Sequence, residues 1–275
     1  MGRAFRIGPH DKIEVIPMIR EIQVKSALSR SGLRELDYSL NPYLGCRFSC
    51  TYCYARYFSP REVGERWGEV ILVKRNLLDV LKREVKVKKK GVVGVSTITD
   101  PYQPVENEFR LTRESVKLLL ENRFRVSIQT KSPLVLRDLD LLIKYKDRVD
   151  VGMTITTMNP EKARELEPLA PLPQARVETL KRLKESGIEV WMFLGPVIPG
   201  NDFSRVLEEA SKIGVRVVYD VLNYYPGLPF KPVSKSAWKE VEEQIRKMCK
   251  ELGVQCHSEE EDWIQETKRR YNPLF

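Results

Sequence analysis

No apolar run among the 275 residues approaches the roughly 20 that a membrane helix needs, and Met1 to Ile16 lacks the long apolar core of a secretory signal. A cytoplasmic protein with no membrane partner is therefore expected. Cysteine is sparse, with five in all and three of them crowded between 46 and 53. That distribution suits a reducing compartment and a ligand cluster better than a disulfide framework. No Cys or His stands between Cys53 and Cys249. Acidic residues are in deficit, 38 against 47 Lys and Arg, which leaves a formal charge of +9. A polyanionic partner fits this balance, and so does a Lys- and Glu-rich surface selected for heat resistance. With 42% hydrophobic content the chain is neither disordered nor fibrous, and it is long enough for one α/β barrel domain or two smaller ones.

Short β-branched runs alternate with longer amphipathic stretches, the pattern of repeated βα units on a parallel sheet. Strands are predicted at Tyr38 to Leu40, Val92 to Thr97, Arg125 to Thr130, Asp150 to Thr156, Glu189 to Leu194 and Val215 to Val221. Crossover helices are predicted at Asn76 to Val87, Asn107 to Glu121, Leu134 to Tyr145, Pro173 to Ser186 and Asp202 to Ile213, and a final helix at about Ser234 to Leu252. Six units imply an α/β fold of the partial (β/α)6 TIM-like type, open along one side. Residues 1–36 then form an N-terminal extension, 37–231 the barrel core, and 232–275 a helix and tail packing on the barrel. In such folds chemistry gathers at the C-terminal ends of the strands. The unusual segments Gly45 to Phe58, Asp100 to Glu106, Lys131 to Pro133 and Gly195 to Asn201 all fall there.

The first of these segments carries Cys46, Cys50 and Cys53 at spacings of four and three. Thiolates select zinc or iron-sulfur clusters. A structural zinc would need a fourth ligand, and none is near in sequence; a zinc knuckle or three core thiols is the plain alternative.

This Cys-x3-Cys-x2-Cys loop after a first strand, with aromatic Tyr52 just before the last cysteine, resembles the radical S-adenosylmethionine (SAM) superfamily. The resemblance implies a 4Fe-4S cluster on Cys46, Cys50 and Cys53, with one iron left open for the amino and carboxylate groups of SAM. It implies reductive cleavage of SAM to a 5'-deoxyadenosyl radical that takes a hydrogen atom from the substrate. It also implies an electron donor such as ferredoxin or flavodoxin, and places Tyr52 against the adenine. A narrower resemblance rests on Asn41-Pro-Tyr-Leu-Gly-Cys46, Cys53-Tyr-Ala-Arg56, Thr99-Asp-Pro-Tyr-Gln-Pro-Val-Glu106, Leu166-Glu-Pro-Leu-Ala-Pro171 and Pro196-Val-Ile-Pro-Gly-Asn-Asp202. Together these look like the spore-photoproduct-lyase-like branch, often labelled DNA repair photolyases.

By that resemblance Ser96, Thr97 and Asp100 lie near the methionine ammonium, although the usual Gly-Gly-Glu is missing; Asp100-Pro101 equally suits a turn. Lys131 is placed to neutralise the SAM carboxylate, or is a solvated surface lysine. Thr154 and Thr156 alternate on the fourth strand and can both face the barrel interior. Val197 and Ile198 fall in the segment that resembles the superfamily's adenine contact. Glu167 and Arg176 read as an ordinary exposed salt bridge, with a substrate or SAM role as the sharper alternative. In the lyases proper a cysteine at the end of the second strand returns a hydrogen atom to the product radical; Ser96 stands there instead, which counts against thymine-dimer repair. Cys249 or Cys256, the latter beside His257, is the candidate replacement donor if the C-terminal segment folds back over the barrel mouth; buried, inert cysteines on a terminal helix are the plainer reading. The aromatic and basic tail, with Trp263, Lys268, Arg269, Arg270, Tyr271 and Phe275, is suited to nucleic acid or to docking on the domain.

The leading expectation is a radical SAM enzyme acting on DNA or tRNA. Radical modification of a protein, peptide or metal cofactor is the second reading, and a non-catalytic iron-sulfur or zinc module that binds nucleic acid the third.

Overall fold

The computed structural model describes residues 16–33, 35–198 and 200–258. The tail with Trp263, Lys268, Arg269, Arg270, Tyr271 and Phe275 lies outside the described residues.

In chain order the strands are β1 (Met18–Ile22), β2 (Leu28–Arg30), β3 (Tyr38–Leu40), β4 (Tyr43–Leu44), β5 (Val70–Lys74), β6 (Val92–Val95), β7 (Arg125–Thr130), β8 (Val149–Thr154), β9 (Glu189–Val197), β10 (Arg216–Val221) and β11 (Cys256–Ser258). The α-helices are α1 (Arg61–Glu65), α2 (Leu77–Val87), α3 (Glu106–Phe109), α4 (Leu111–Glu121), α5 (Leu139–Lys144), α6 (Pro160–Leu166), α7 (Pro173–Glu185), α8 (Ser204–Ile213) and α9 (Lys235–Leu252). The main sheet has the order β11-β10-β9-β8-β7-β6-β3-β2, parallel throughout except for β2, which pairs antiparallel with β3. This largely parallel sheet with crossover helices is the expected partial barrel. Strand β8, at its centre, is buried at all six positions, as a strand covered on both faces must be, and it carries Val149, Val151 and Met153.

Helix α7 shows how a crossover is specified. Pro173 occupies its first turn, where a missing N–H costs nothing, and Val177, Leu180 and Leu183 form the buried stripe that faces β8 and β9. Two predicted helices are interrupted. Arg110 takes φ 50, which ends α3 and starts α4. Pro133 begins a 3-10 turn ahead of α5, capped by Ser132, which accepts from the Leu134 N–H.

A second sheet, of order β1-β5-β4, stands apart from the barrel strands. The chain leaves β3 at Leu40 and, within three residues, pairs antiparallel with β5 through Tyr43 and Leu44. This small sheet backs the cysteine loop. At Gly45, φ is +82 and an added Cβ would lie 2.3 Å from the Val70 carbonyl oxygen, so only glycine lets the loop turn this close to β5.

Inside the sheet, toward the N-terminal ends of the strands, Arg125 donates to Asp150 (3.0 Å) and Glu189 (3.2 Å), Arg216 donates to Glu189 (2.9 Å), and the Trp191 indole donates to Asp150 (2.8 Å). Gly152 leaves room for that indole, whose ring would lie 2.4 Å from an added Cβ. This paired layer forms a floor, and the open chemistry lies at the opposite, C-terminal ends.

Candidate functional site

One cavity of about 420 Å³ runs from this floor to the C-terminal strand ends. Cys46, Cys50 and Cys53 all line it, together with Tyr52, Ser96, Thr97, Asp100, Lys131 and Thr154. Nine of the expected site residues thus meet around one space, although they come from four different strand ends.

The loop's neighbours explain how the three thiols are presented. Asn41 accepts through Oδ1 from the backbone N–H groups of Thr97 (2.9 Å) and Ile98 (3.0 Å), which ties the loop after β6 to the loop after β3. Gln103 accepts from the Arg47 N–H at 2.8 Å and donates to the Gly45 carbonyl at 3.0 Å. Thr99 donates to the same carbonyl at 2.6 Å. Glu106, wholly buried, accepts from the Tyr43 hydroxyl and from Arg137. The sequence reading noticed these motifs as resemblances and missed their work as braces. Their signal was polar side chains within two residues of a proline, in the loops at strand ends.

Burial pushes all three thiols up, with the Cys50 thiol raised to about 12 and the Cys46 thiol raised further by Asp100 and by the other two cysteines. Buried thiolates are stable here only against a cation. Among the described residues no three His, Cys, Asp or Glu stand close enough to hold a single metal ion. A mononuclear site draws its sulfurs around one ion, whereas a four-iron cube carries its thiolates at separate corners. Three free thiols on one loop, facing one cavity, are a donor set that an iron-sulfur cluster would accept.

Behind the loop lies a buried charged network. Glu167 and Arg176, 2% and 1% exposed at their side chains, form an ion pair, and Glu167 also accepts from the Tyr52 hydroxyl and from Thr156 (3.0 Å). Arg176 donates further to the carbonyls of Thr154 (3.1 Å) and Pro171 (2.8 Å). This pair is therefore not the exposed salt bridge expected from sequence; the Leu-Glu-Pro stretch after α6 turns inward beneath Tyr52. Lys131 is not a solvated lysine either. Its ammonium lies 3.8 Å from Glu167 and 5.7 Å from the centre of the Tyr52 ring. Burial alone would push the Glu167 carboxyl up, and Arg176 and Lys131 outweigh it to hold that group below its ordinary range. Tyr52 is thus fixed at its hydroxyl while its ring lines the cavity.

The remaining expected residues divide. Asp100 accepts from the Tyr102 N–H (2.9 Å), Thr130 hydroxyl (2.6 Å) and Lys131 N–H (2.8 Å), so it organises the turn it sits in. The buried Ser96 hydroxyl, at the cavity wall, has no hydrogen-bond partner. Thr154 accepts from Gln129 at 3.2 Å, whereas Thr156 is committed to the Glu167 network and does not line the cavity. At the fifth strand the cavity is lined by Gly195 and Pro196; Val197 is buried in the main core, and Ile198 packs beside the cysteine loop.

Cys256 does not serve as the hydrogen donor. It is bonded to Cys249 across the end of α9 and β11, lies off the cavity lining, and a disulfide sulfur has no S–H to give. That bond adds one disulfide to a chain whose cysteine pattern was expected to suit a ligand cluster better than a disulfide framework. The cavity rim instead shows residues that sequence reasoning passed over: Phe58 from the turn after the cysteines, and Asn223 and Tyr225 from the loop after β10.

Comparison with known proteins follows this geometry. The radical SAM superfamily profile matches residues 40–213. An uncharacterized protein of Methanocaldococcus jannaschii is 34% identical over 223 residues, 81% of this chain and 83% of its own length. Among solved structures, spore photoproduct lyase complexed with dinucleoside spore photoproduct aligns with a TM-score of 0.70 at 12% identity, covering 88% of this chain and 81% of the lyase. Streptococcus suis SuiB bound to S-adenosylmethionine aligns with a TM-score of 0.55 at 9% identity, covering 89% of this chain and 51% of that protein.

Proposed function

Because the chain belongs to the radical SAM superfamily of enzymes, we propose that Cys46, Cys50 and Cys53 hold a 4Fe-4S cluster beside a SAM site and that the substrate is a nucleic acid. The cluster and SAM together would supply hydrogen-atom abstraction through one-electron cleavage of the sulfonium. The observation that carries this reading is the convergence of three free thiols, two of them buried, with Tyr52, Lys131 and the partnerless Ser96 hydroxyl on one cavity at the C-terminal ends of the strands.

In this reading the chain's own groups bind and orient. Lys131 offers a cation to the SAM carboxylate, Ser96 a free hydroxyl and Thr154 a further oxygen, while Tyr52, held by Glu167, presents its ring to the adenine. The braces from Asn41, Thr99 and Gln103 keep the loop from relaxing as ligands enter. A ferredoxin or flavodoxin would deliver the electron. The fold shared with a lyase whose structure holds a dinucleoside lesion, and the charge of +9, support DNA or tRNA over a peptide or metal cofactor.

The test is anaerobic reconstitution with iron and sulfide, followed by dithionite, SAM and mass spectrometry for 5'-deoxyadenosine, in wild type and in Cys46→Ala, Cys50→Ala and Cys53→Ala. Wild type should produce it and the three variants should lose both iron and product. A fully iron-loaded wild type that makes none would refute the reading and leave the binding module.

A further inference from the structure

Phe58 is 58% exposed, although it sits on the lining of the principal cavity and directly follows the cysteine loop. Packing does not account for it. Its neighbour Tyr57 already docks the loop after β10, stacking on Tyr225 with centroids 4.9 Å apart and donating from its hydroxyl to the Pro226 carbonyl at 2.9 Å. Phe58 is then held edge-on by two rings, Tyr54 at 5.9 Å and 82° and Tyr225 at 5.9 Å and 83°. The Tyr54 hydroxyl is itself fixed to the Thr97 carbonyl at 2.7 Å. An apolar ring is thus rigidly supported in water at the mouth of the cavity, and all three rings line it. Beside them on the same lining are Asp220 and Asn223, whose side chains meet at 3.1 Å and carry both acceptor and donor atoms.

We propose that Phe58, supported by Tyr54 and Tyr225, is a stacking platform for one unpaired nucleobase of a single-stranded or locally opened nucleic acid, whose edge is met by Asn223 and Asp220. The proposal rests on the nucleic-acid reading above and narrows it. Bases have π-faces that stack on a fixed aromatic ring, and a base paired inside a duplex cannot present both its face to a ring and its edge to an amide at the mouth of a cavity. The excess of cations over the whole chain suits the phosphates that accompany such a base.

The experiment uses the reconstituted holoprotein, with fluorescence anisotropy of a labelled 12-nucleotide single strand and of its duplex at one fixed salt concentration. Wild type should bind the single strand more tightly than the duplex. Phe58→Leu, which keeps an apolar side chain but no ring, should weaken single-strand binding by roughly 5- to 100-fold, the range of one lost base stack. Phe58→Trp should bind at least as well as wild type. Iron content and thermal midpoint of each variant separate loss of fold from loss of stacking. Equal binding of Phe58→Leu and wild type, or a wild type that prefers duplex, would overturn the platform. Failure of the SAM-cleavage assay would instead remove the enzymatic reading, and the binding result would still stand or fall alone.

Discussion

Substituting Glu167→Gln keeps the shape of the side chain and an oxygen for the Tyr52 hydroxyl, and removes only the negative charge. Arg176 is then left 1% exposed with no counter-ion, its Nη1 and Nε still held by the Thr154 and Pro171 carbonyls. A guanidinium cannot shed its proton, whereas Lys131, 16% exposed, has that escape. Removing one partner of a buried pair costs about 3–5 kcal/mol. At about 2 °C per kcal/mol for a chain of this size, the thermal midpoint should fall by about 6–10 °C. The reconstituted variant and wild type are melted side by side by far-ultraviolet circular dichroism.

The double variant Glu167→Gln with Arg176→Met discriminates the cause. A methionine fills similar space without a charge, so the double variant should regain most of the loss. If the single variant melts with wild type, the pair is not buried as described. If the double variant melts as low as the single one, the cost comes from lost packing and hydrogen bonds, and the stranded-charge reasoning fails.

Further outcomes follow from individual groups. Ser96→Ala removes a buried hydroxyl without a partner, so its midpoint should equal or exceed that of wild type, while SAM retention in equilibrium dialysis falls; a lower midpoint would show the hydroxyl to be a structural bond. Cys249→Ser opens a loop of sequence separation 7, worth roughly 2–3 kcal/mol in chain entropy, and dithiothreitol should lower the wild-type midpoint to match the variant. At the exposed end of α5, the hydrogen bond from Arg113 holds the Asp140 carboxyl down to about 2. A lowered carboxyl contributes stability above its unfolded value that is lost as pH falls toward about 2, so Asp140→Asn should lower stability modestly at pH 7 and converge on wild type as pH falls toward about 2, which flattens the acid limb of the stability curve.

The barrel was legible because its strands obey local rules. Arg125–Thr130 was read to the residue, and each remaining expected barrel strand exists with ends shifted by no more than three residues. The small sheet was not legible, because its determinants are distant. Met18–Ile22 is mostly exposed and owes its strand form to β5, about fifty residues away. Tyr43–Leu44 is too short to show any period. The interrupted helices were missed for a related reason: Arg110 lies inside an amphipathic run, and nothing local announces its positive φ.

Within the site, residue type and spacing were enough to single out three cysteines that share one loop and one cavity, and sequence failed where burial decides. Glu167 and Arg176 have the composition of any surface ion pair, and only the inward turn after α6 makes them the support of Tyr52. Cys249 and Cys256 show the converse, since a spacing with no meaning in sequence becomes a bond once α9 is capped by Gly253 and β11 returns to β10. The same logic bears on the departure at Ser96. A serine hydroxyl at that wall cannot replace a thiol as hydrogen-atom donor, and among the described residues every cysteine is either in the loop of Cys46, Cys50 and Cys53 or in the disulfide. In the proposed chemistry, a reaction that ends by returning hydrogen to a product radical would therefore draw it from 5'-deoxyadenosine or from a tyrosine hydroxyl on the cavity lining. Deuterium placed on the substrate at the abstracted position would then wash into SAM over many turnovers, whereas its retention in free 5'-deoxyadenosine would mean that SAM is consumed once per event.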